Sequence, residues 1–232
     1  EIEVSGGAQT SEFDIYADQY ESNKHYFLSH YFKDNYDAAL ANLPFVNSSI
    51  NITKIEVWIT NKTGTTNNTR NIVSFLDLGE TTANIYNTTF INSNGGNYPD
   101  NDIANDLFES LTTTLSGIRD INEVNNILAP LIPYNFLNGQ DYEKLERARK
   151  LTESEYTINH QLGYISLNQA LNNDEVLAVA FQYTLGNQTF QVGELSSTGP
   201  DAPDVLILKL LKGTNFSPNL PNWDLMMKNI YS

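Results

Sequence analysis

Ile50, Ile52, Ile55, Val57 and Ile59 make residues 50–60 the segment that most restricts how this chain can fold. β-branched side chains lose freedom in a helix and pack well on a pleated surface, so the run predicts a strand. Its apolar positions are even before Thr53-Lys54 and odd after it, which predicts a β-bulge there, because one extra residue reverses the faces of everything downstream. Val57 and Ile59 then share one face and Trp58 takes the other. Residues 61–69 are too rich in Asn, Thr and Gly to pack, and a second strand resumes from Arg70 to Leu78 with Ile72, Val73, Phe75 and Leu76. The two strands read as a long hairpin over 50–78.

Around that hairpin the periodicity changes. Phe13 and Ile15 alternate with carboxylates in a short strand over Glu12–Tyr16. From Asn23 to Leu40 the residues Leu28, Phe32 and Tyr36 recur every four positions, with Phe27 and Tyr31 beside them, which predicts a helix glued to a sheet. A helical insert is expected over about 100–152. Asp100-Asn101-Asp102 would cap one helix, Ile121–Leu128 would form a second stopped by Pro130 and Pro133, and Gln140–Leu151 a third. The C-terminal strands cover 155–211, with a hairpin turn at Gly186-Asn187 and an apolar run from Val205 to Leu211 suited to a strand covered on both faces. Trp223–Ile230 reads as a short helix or docking segment. The fold class expected is α+β, an antiparallel jelly-roll-like sandwich with several packed helices, in one module over 1–232.

Charge narrows the partners. With 28 acidic and 13 basic residues the net charge is −15, so nucleic acid is not an expected partner, since it needs clustered Lys and Arg. The chain has no cysteine, which removes disulfides, thiolate metal sites and Cys nucleophiles. Acidic, free of cysteine and rich in Asn and Thr, with 30 and 20 of them, the chain reads as a bacterial envelope or surface protein. Both ends read as cut from something longer.

Catalytic chemistry has little to stand on. His25 and His30, five apart on the expected helix, would point about 140° from each other and could not clamp a metal. The third histidine is His160, and no phosphate loop, dinucleotide fingerprint or nucleophile elbow is present. Asp100-Asn101-Asp102 starts like a calcium loop, but Ala104, Asn105 and Leu111 stand where its fifth, sixth and twelfth positions need a donor, a Gly and a Glu. No catalytic, cofactor or metal residue is assigned, and the chain is not expected to be an enzyme. The possible interaction surface is Trp58 together with the basic run Lys144, Arg147, Arg149 and Lys150, which reads as a solvated helix face paired with Glu143, Glu146 and Glu153.

Longer stretches of wording carry a family resemblance. Asn23–Leu28 leading to Phe32–Asp37, Ile55–Asn61, Arg70–Glu80, Gln161–Leu167, Glu175–Thr184, Gln191–Glu194 and Trp223–Ser232 together resemble the SprA/Sov family of Bacteroidetes cell-surface proteins. That resemblance implies the outer-membrane translocon of the type IX secretion system and gliding motility. It also implies partners: the remainder of a parent translocon chain, a PorV-type outer-membrane protein, a plug protein and secreted cargo. The chain is too short for the pore itself and lacks the repeated lipid-facing strands of one, so a soluble module capping or lining the pore is expected, extracellular or pore-facing. The alternative is a surface carbohydrate-binding or adhesion module, for which Trp58 would be the platform if exposed.

Overall fold

The computed structural model describes residues 14–95, 99–129 and 136–231. Among the described residues nine strands dominate: β1 His25–Phe27, β2 Ile50–Ile59, β3 Thr69–Phe75, β4 Tyr142–Lys150, β5 Tyr156–Asn159, β6 Tyr164–Leu167, β7 Leu177–Leu185, β8 Gln188–Val192 and β9 Leu206–Lys212. The helices are few: α1 His30–Ala39, α2 Leu107–Thr112 and α3 Val124–Leu128, with 3-10 turns at Ser116–Arg119 and Pro221–Leu225. The fold is therefore mostly β.

The larger sheet runs β2-β4-β3-β9-β7-β8, and β2 also pairs with β7. That extra pairing closes β2, β4, β3, β9 and β7 into a five-stranded barrel and leaves β8 hydrogen-bonded outside it. Only β3 and β9 run parallel; the other pairs are antiparallel. This corrects the jelly-roll sandwich, because a sheet joined edge to edge into a barrel encloses its own core instead of stacking as one of two open sheets.

Alternation of side chains sorts the core into two layers. Trp58, Ile72, Ala148, Ala178, Ala180, Leu206 and Leu208 come from all five strands and, with Leu195, fill the barrel interior. Three alanines leave the volume that one indole needs. The opposite faces contribute Val57, Ile59, Val73, Phe75, Val179, Phe181 and Ile207 to a larger outer core, with the helices and the small sheet β1-β6-β5 packed over it. Strand β9 is buried at every position, as its apolar run predicts.

The bulge in β2 falls where the alternation reversed, between Ile52 and Lys54 opposite β7. Other expectations fail for physical reasons. The hairpin over 50–78 does not form: β4 lies between β2 and β3. A two-residue turn would force neighbours to pair, whereas the connection over 60–68 is long enough to step across a strand. The helix over Gln140–Leu151 is β4, so the helical insert ends with α3. The helix over Asn23–Leu40 is cut in two, since β1 occupies 25–27 and extended Ser29 precedes α1. Residues 14–16 of the expected first strand are unpaired, with Ile15 and Tyr16 exposed, and the rest of it lies outside the described residues, as do Pro130 and Pro133.

Gly163, in the turn between β5 and β6, sits at φ +64° with its α-carbon against the ring of Phe32. A side chain there would be strained in backbone and would collide with the ring. Phe32 itself touches Phe181 and Tyr183 of β7 edge to face, so this turn docks α1 and the small sheet onto the barrel.

Candidate functional site

Strand geometry disperses the five residues of the expected interaction surface. Trp58 is 1% exposed inside the barrel, which removes it as a sugar platform. Lys150 shares its side of the sheet and lies 5.8 Å above the indole ring. Its Nζ donates to Glu56 Oε1 at 2.7 Å and Ser196 Oγ at 3.2 Å, while Ser196 N–H and Oγ–H both donate to the same carboxylate. Burial opposes the charge of Glu56, but the Lys150 and Ser196 bonds outweigh it and hold its pKa below the usual range. The pair caps one end of the barrel.

The neighbouring basic residues point elsewhere. Arg149 Nη1 donates to both oxygens of Glu155, at 2.7 and 3.0 Å. Lys144 Nζ donates to the Ile121 carbonyl at 3.0 Å and lies 3.5 Å from Glu146. Arg147 is exposed at φ 53° in a bulge of β4, its backbone N–H bonded to Asn71 Oδ1. A single basic helix face is thus corrected to residues split between opposite sides of a strand.

Where β2 parts from β4 an open groove of about 510 Å³ forms. Lys54, Glu56, Lys150, Glu153, Tyr156 and His160 are among its walls. The β2–β4 seam has only the pairs Trp58–Lys150 and Ile59–Arg149, against nine residues of β2 in register with β7.

A second polar cluster lies in the outer core. Lys209 of β9 is 0% exposed, and its Nζ donates to Glu80 Oε1 at 2.5 Å and to the Leu76 carbonyl. The same Glu80 oxygen lies 2.8 Å from His30 Nδ1, and His30 Nε2 lies 3.0 Å from the Pro221 carbonyl. Burial works against the ionised Glu80, but Lys209 and His30 overcome it and draw its pKa down to about 2. Asp100 accepts the Tyr31 N–H at 3.0 Å, and burial beside Glu80 pushes its carboxyl up to about 7. Asp77 accepts the N–H groups of Tyr86 and Asn87, both at 2.8 Å.

These contacts correct the helix-cap reading of Asp100-Asn101-Asp102. Helix α2 starts at Leu107, while Asp100 anchors α1 and Asp102 Oδ1 accepts the Gly193 N–H at 2.8 Å. Burial pushes the Asp102 carboxyl to about 7. Among the described residues no group of three His, Asp or Glu is disposed to hold a metal ion. Sequence reading missed Lys209 and Glu80. The signal was present, since a lysine inside a run expected to be buried on both faces requires a buried partner.

No helix among the described residues is long and apolar enough to cross a membrane. No curated protein matches the chain. A family model, SprA_N, described as motility related/secretion protein, matches residues 2–184. The match takes in His30, Glu80 and nearly all of β7, and it ends before β8 and β9. Spanning well over half of the sequence, it establishes that the chain belongs to the SprA_N family of motility-related/secretion proteins.

Proposed function

We propose that this chain is a non-enzymatic, soluble module of an SprA-like type IX secretion translocon, capping or lining the outer-membrane pore through which folded proteins leave the cell. Its place is the bacterial envelope, on the extracellular or pore-facing side. Its partners are the rest of the parent chain, a PorV-type outer-membrane protein, a plug protein and passing cargo.

The observation that carries this reading, beside the family, is where the positive charge goes. Lys209 and Lys212 are buried, and Lys24, Lys33, Lys62, Arg119, Lys144, Arg149, Lys150 and Lys228 all lie in ion pairs with the chain's own carboxylates. Arg70 is spent on the carbonyls of Pro200 and Asp204. Part of the negative charge is buried too, on Asp77, Glu80, Asp100, Asp141 and Glu143 among others, but exposed carboxylates such as Asp34, Asp37, Glu109, Glu153 and Asp201 meet little cationic relief, and the surface stays acidic. Such a surface is strongly hydrated and repels acidic passengers, which suits material that narrows a pore for folded cargo.

Exchanging exposed Asp34, Asp37, Glu109, Glu153 and Asp201 for the matching amides in the parent translocon tests this. The expected result is altered cargo flux with the thermal midpoint of the isolated chain retained. Unchanged secretion by a folded variant contradicts the proposal.

A further inference from the structure

We infer that His30 is a proton-operated latch: charged, it fastens the segment 221–231 to the barrel, and neutral, it loosens that segment. The inference starts from hydrogen-bond direction. His30 is 5% exposed, and each of its ring nitrogens faces an atom that can only accept, Glu80 Oε1 at 2.8 Å and the Pro221 carbonyl at 3.0 Å. A neutral imidazole has one N–H, so only the imidazolium satisfies both contacts. Burial alone would favour the neutral ring, but Glu80 beside it more than compensates and raises the pKa above its ordinary value.

The segment on the far side of the latch does structural work. After the 3-10 turn Pro221–Leu225, Met226 bridges Tyr26 of β1 and Met227 N–H donates to the His25 carbonyl at 2.9 Å. Ile230 accepts the Glu21 N–H at 2.8 Å. The segment thus covers the outer edge of β1, whose other edge pairs with β6. When His30 loses its proton, the remaining N–H stays with ionised Glu80, and Nε2 turns a lone pair on the Pro221 carbonyl. The turn is pushed away and the edge of β1 opens.

Other charged groups bear on the same ring. Lys209 opposes its charge, with Asp77 and Asp100 nearby in the same buried cluster around Glu80. On the side of the segment stand Asp224, paired with Lys33 and Lys228, and beside β1 the Glu21–His25 contact at 2.7 Å. These groups remain in a His30→Gln variant, which separates their titration from that of His30.

Amide hydrogen exchange, corrected for intrinsic rates, tests the latch on the whole chain. Protection at Met227 should fall about tenfold or more between about pH 6 and about pH 9, while Val179 in the barrel holds, because a charged hydrogen bond is lost only at the latch. In His30→Gln the Met227 protection should be low and flat with pH. Constant wild-type protection, or the same pH dependence in the variant, overturns the inference. Should the variant not fold, ¹⁵N shifts of the wild-type ring decide the matter: two protonated nitrogens near neutral pH support the latch, and one bare nitrogen refutes it.

Discussion

Two lysine–glutamate pairs tie this barrel together, and they differ in almost everything but chemistry. Lys150–Glu56 caps the barrel interior at 2.7 Å, with the lysine side chain 34% exposed; Lys209–Glu80 lies in the outer core at 2.5 Å, with its side chains 0% and 1% exposed. At the cap, water can take the place of Lys150, whose side chain is 34% exposed against 8% for Glu56, and Ser196 continues to serve Glu56 if Lys150 is lost. In the outer core nothing can take the place of Lys209 except His30, which already shares the same oxygen. The same ion pair is therefore a modest trim at one site and an obligatory unit at the other.

Removing one partner separates the two sites most sharply. Lys209→Met should cost about 3–5 kcal/mol in denaturant unfolding, because it strands a buried carboxylate. A loss near that of a surface mutation would erase the contrast. A second large effect addresses the dock between the small sheet and the barrel: Gly163→Ala should cost about 2–4 kcal/mol, from overpacking against Phe32 and backbone strain at positive φ.

Titration sharpens the contrast without changing a residue. The folded-state pKa values of His30, Asp100 and Asp102 all lie above their unfolded values, the two acids at about 7. The folded chain therefore holds more protons than the unfolded one, and stability falls as pH rises from about 4 through 7, and further as His30 deprotonates. Glu80 and Glu56 act in the opposite sense, since their folded pKa values are depressed, and their contribution fades as pH drops below the usual carboxylate range. Thermal midpoints across pH should thus peak on the acid side of neutrality; a plateau reaching into alkaline pH contradicts the buried-acid account. The smallest effect belongs to the cap. Lys150→Met should cost about 1–2 kcal/mol, since a charged hydrogen bond to the buried Glu56 is lost while Ser196 still donates to it twice.

Legibility in the sequence followed local chemistry. Strand β2, its bulge, the β7–β8 hairpin and the doubly covered β9 were all readable, because β-branched alternation and turn residues act over a few positions. Strand β4 was not, and the reason is specific. Ala148 pairs with Arg70 and Leu145 with Ile72, so the bulge at Arg147 sets two inward residues three apart. Tyr142, Leu145, Ala148 and Leu151 then mimic the spacing of a helix. Closure of the barrel through β2–β7 is a long-range pairing that no local pattern encodes. The interaction surface failed with β4, since four of its five residues lie on that strand. Family wording survived these errors, because the match draws on residues 2–184 together and not on any one element.

Excision of this chain from the translocon proposed as its parent, with assembly of the outer-membrane pore and secretion of cargo scored separately, tests the central claim most directly. The account predicts a pore that still assembles but secretes poorly or leaks. Normal secretion through the assembled pore, with only surface attachment to glycans lost, would contradict it.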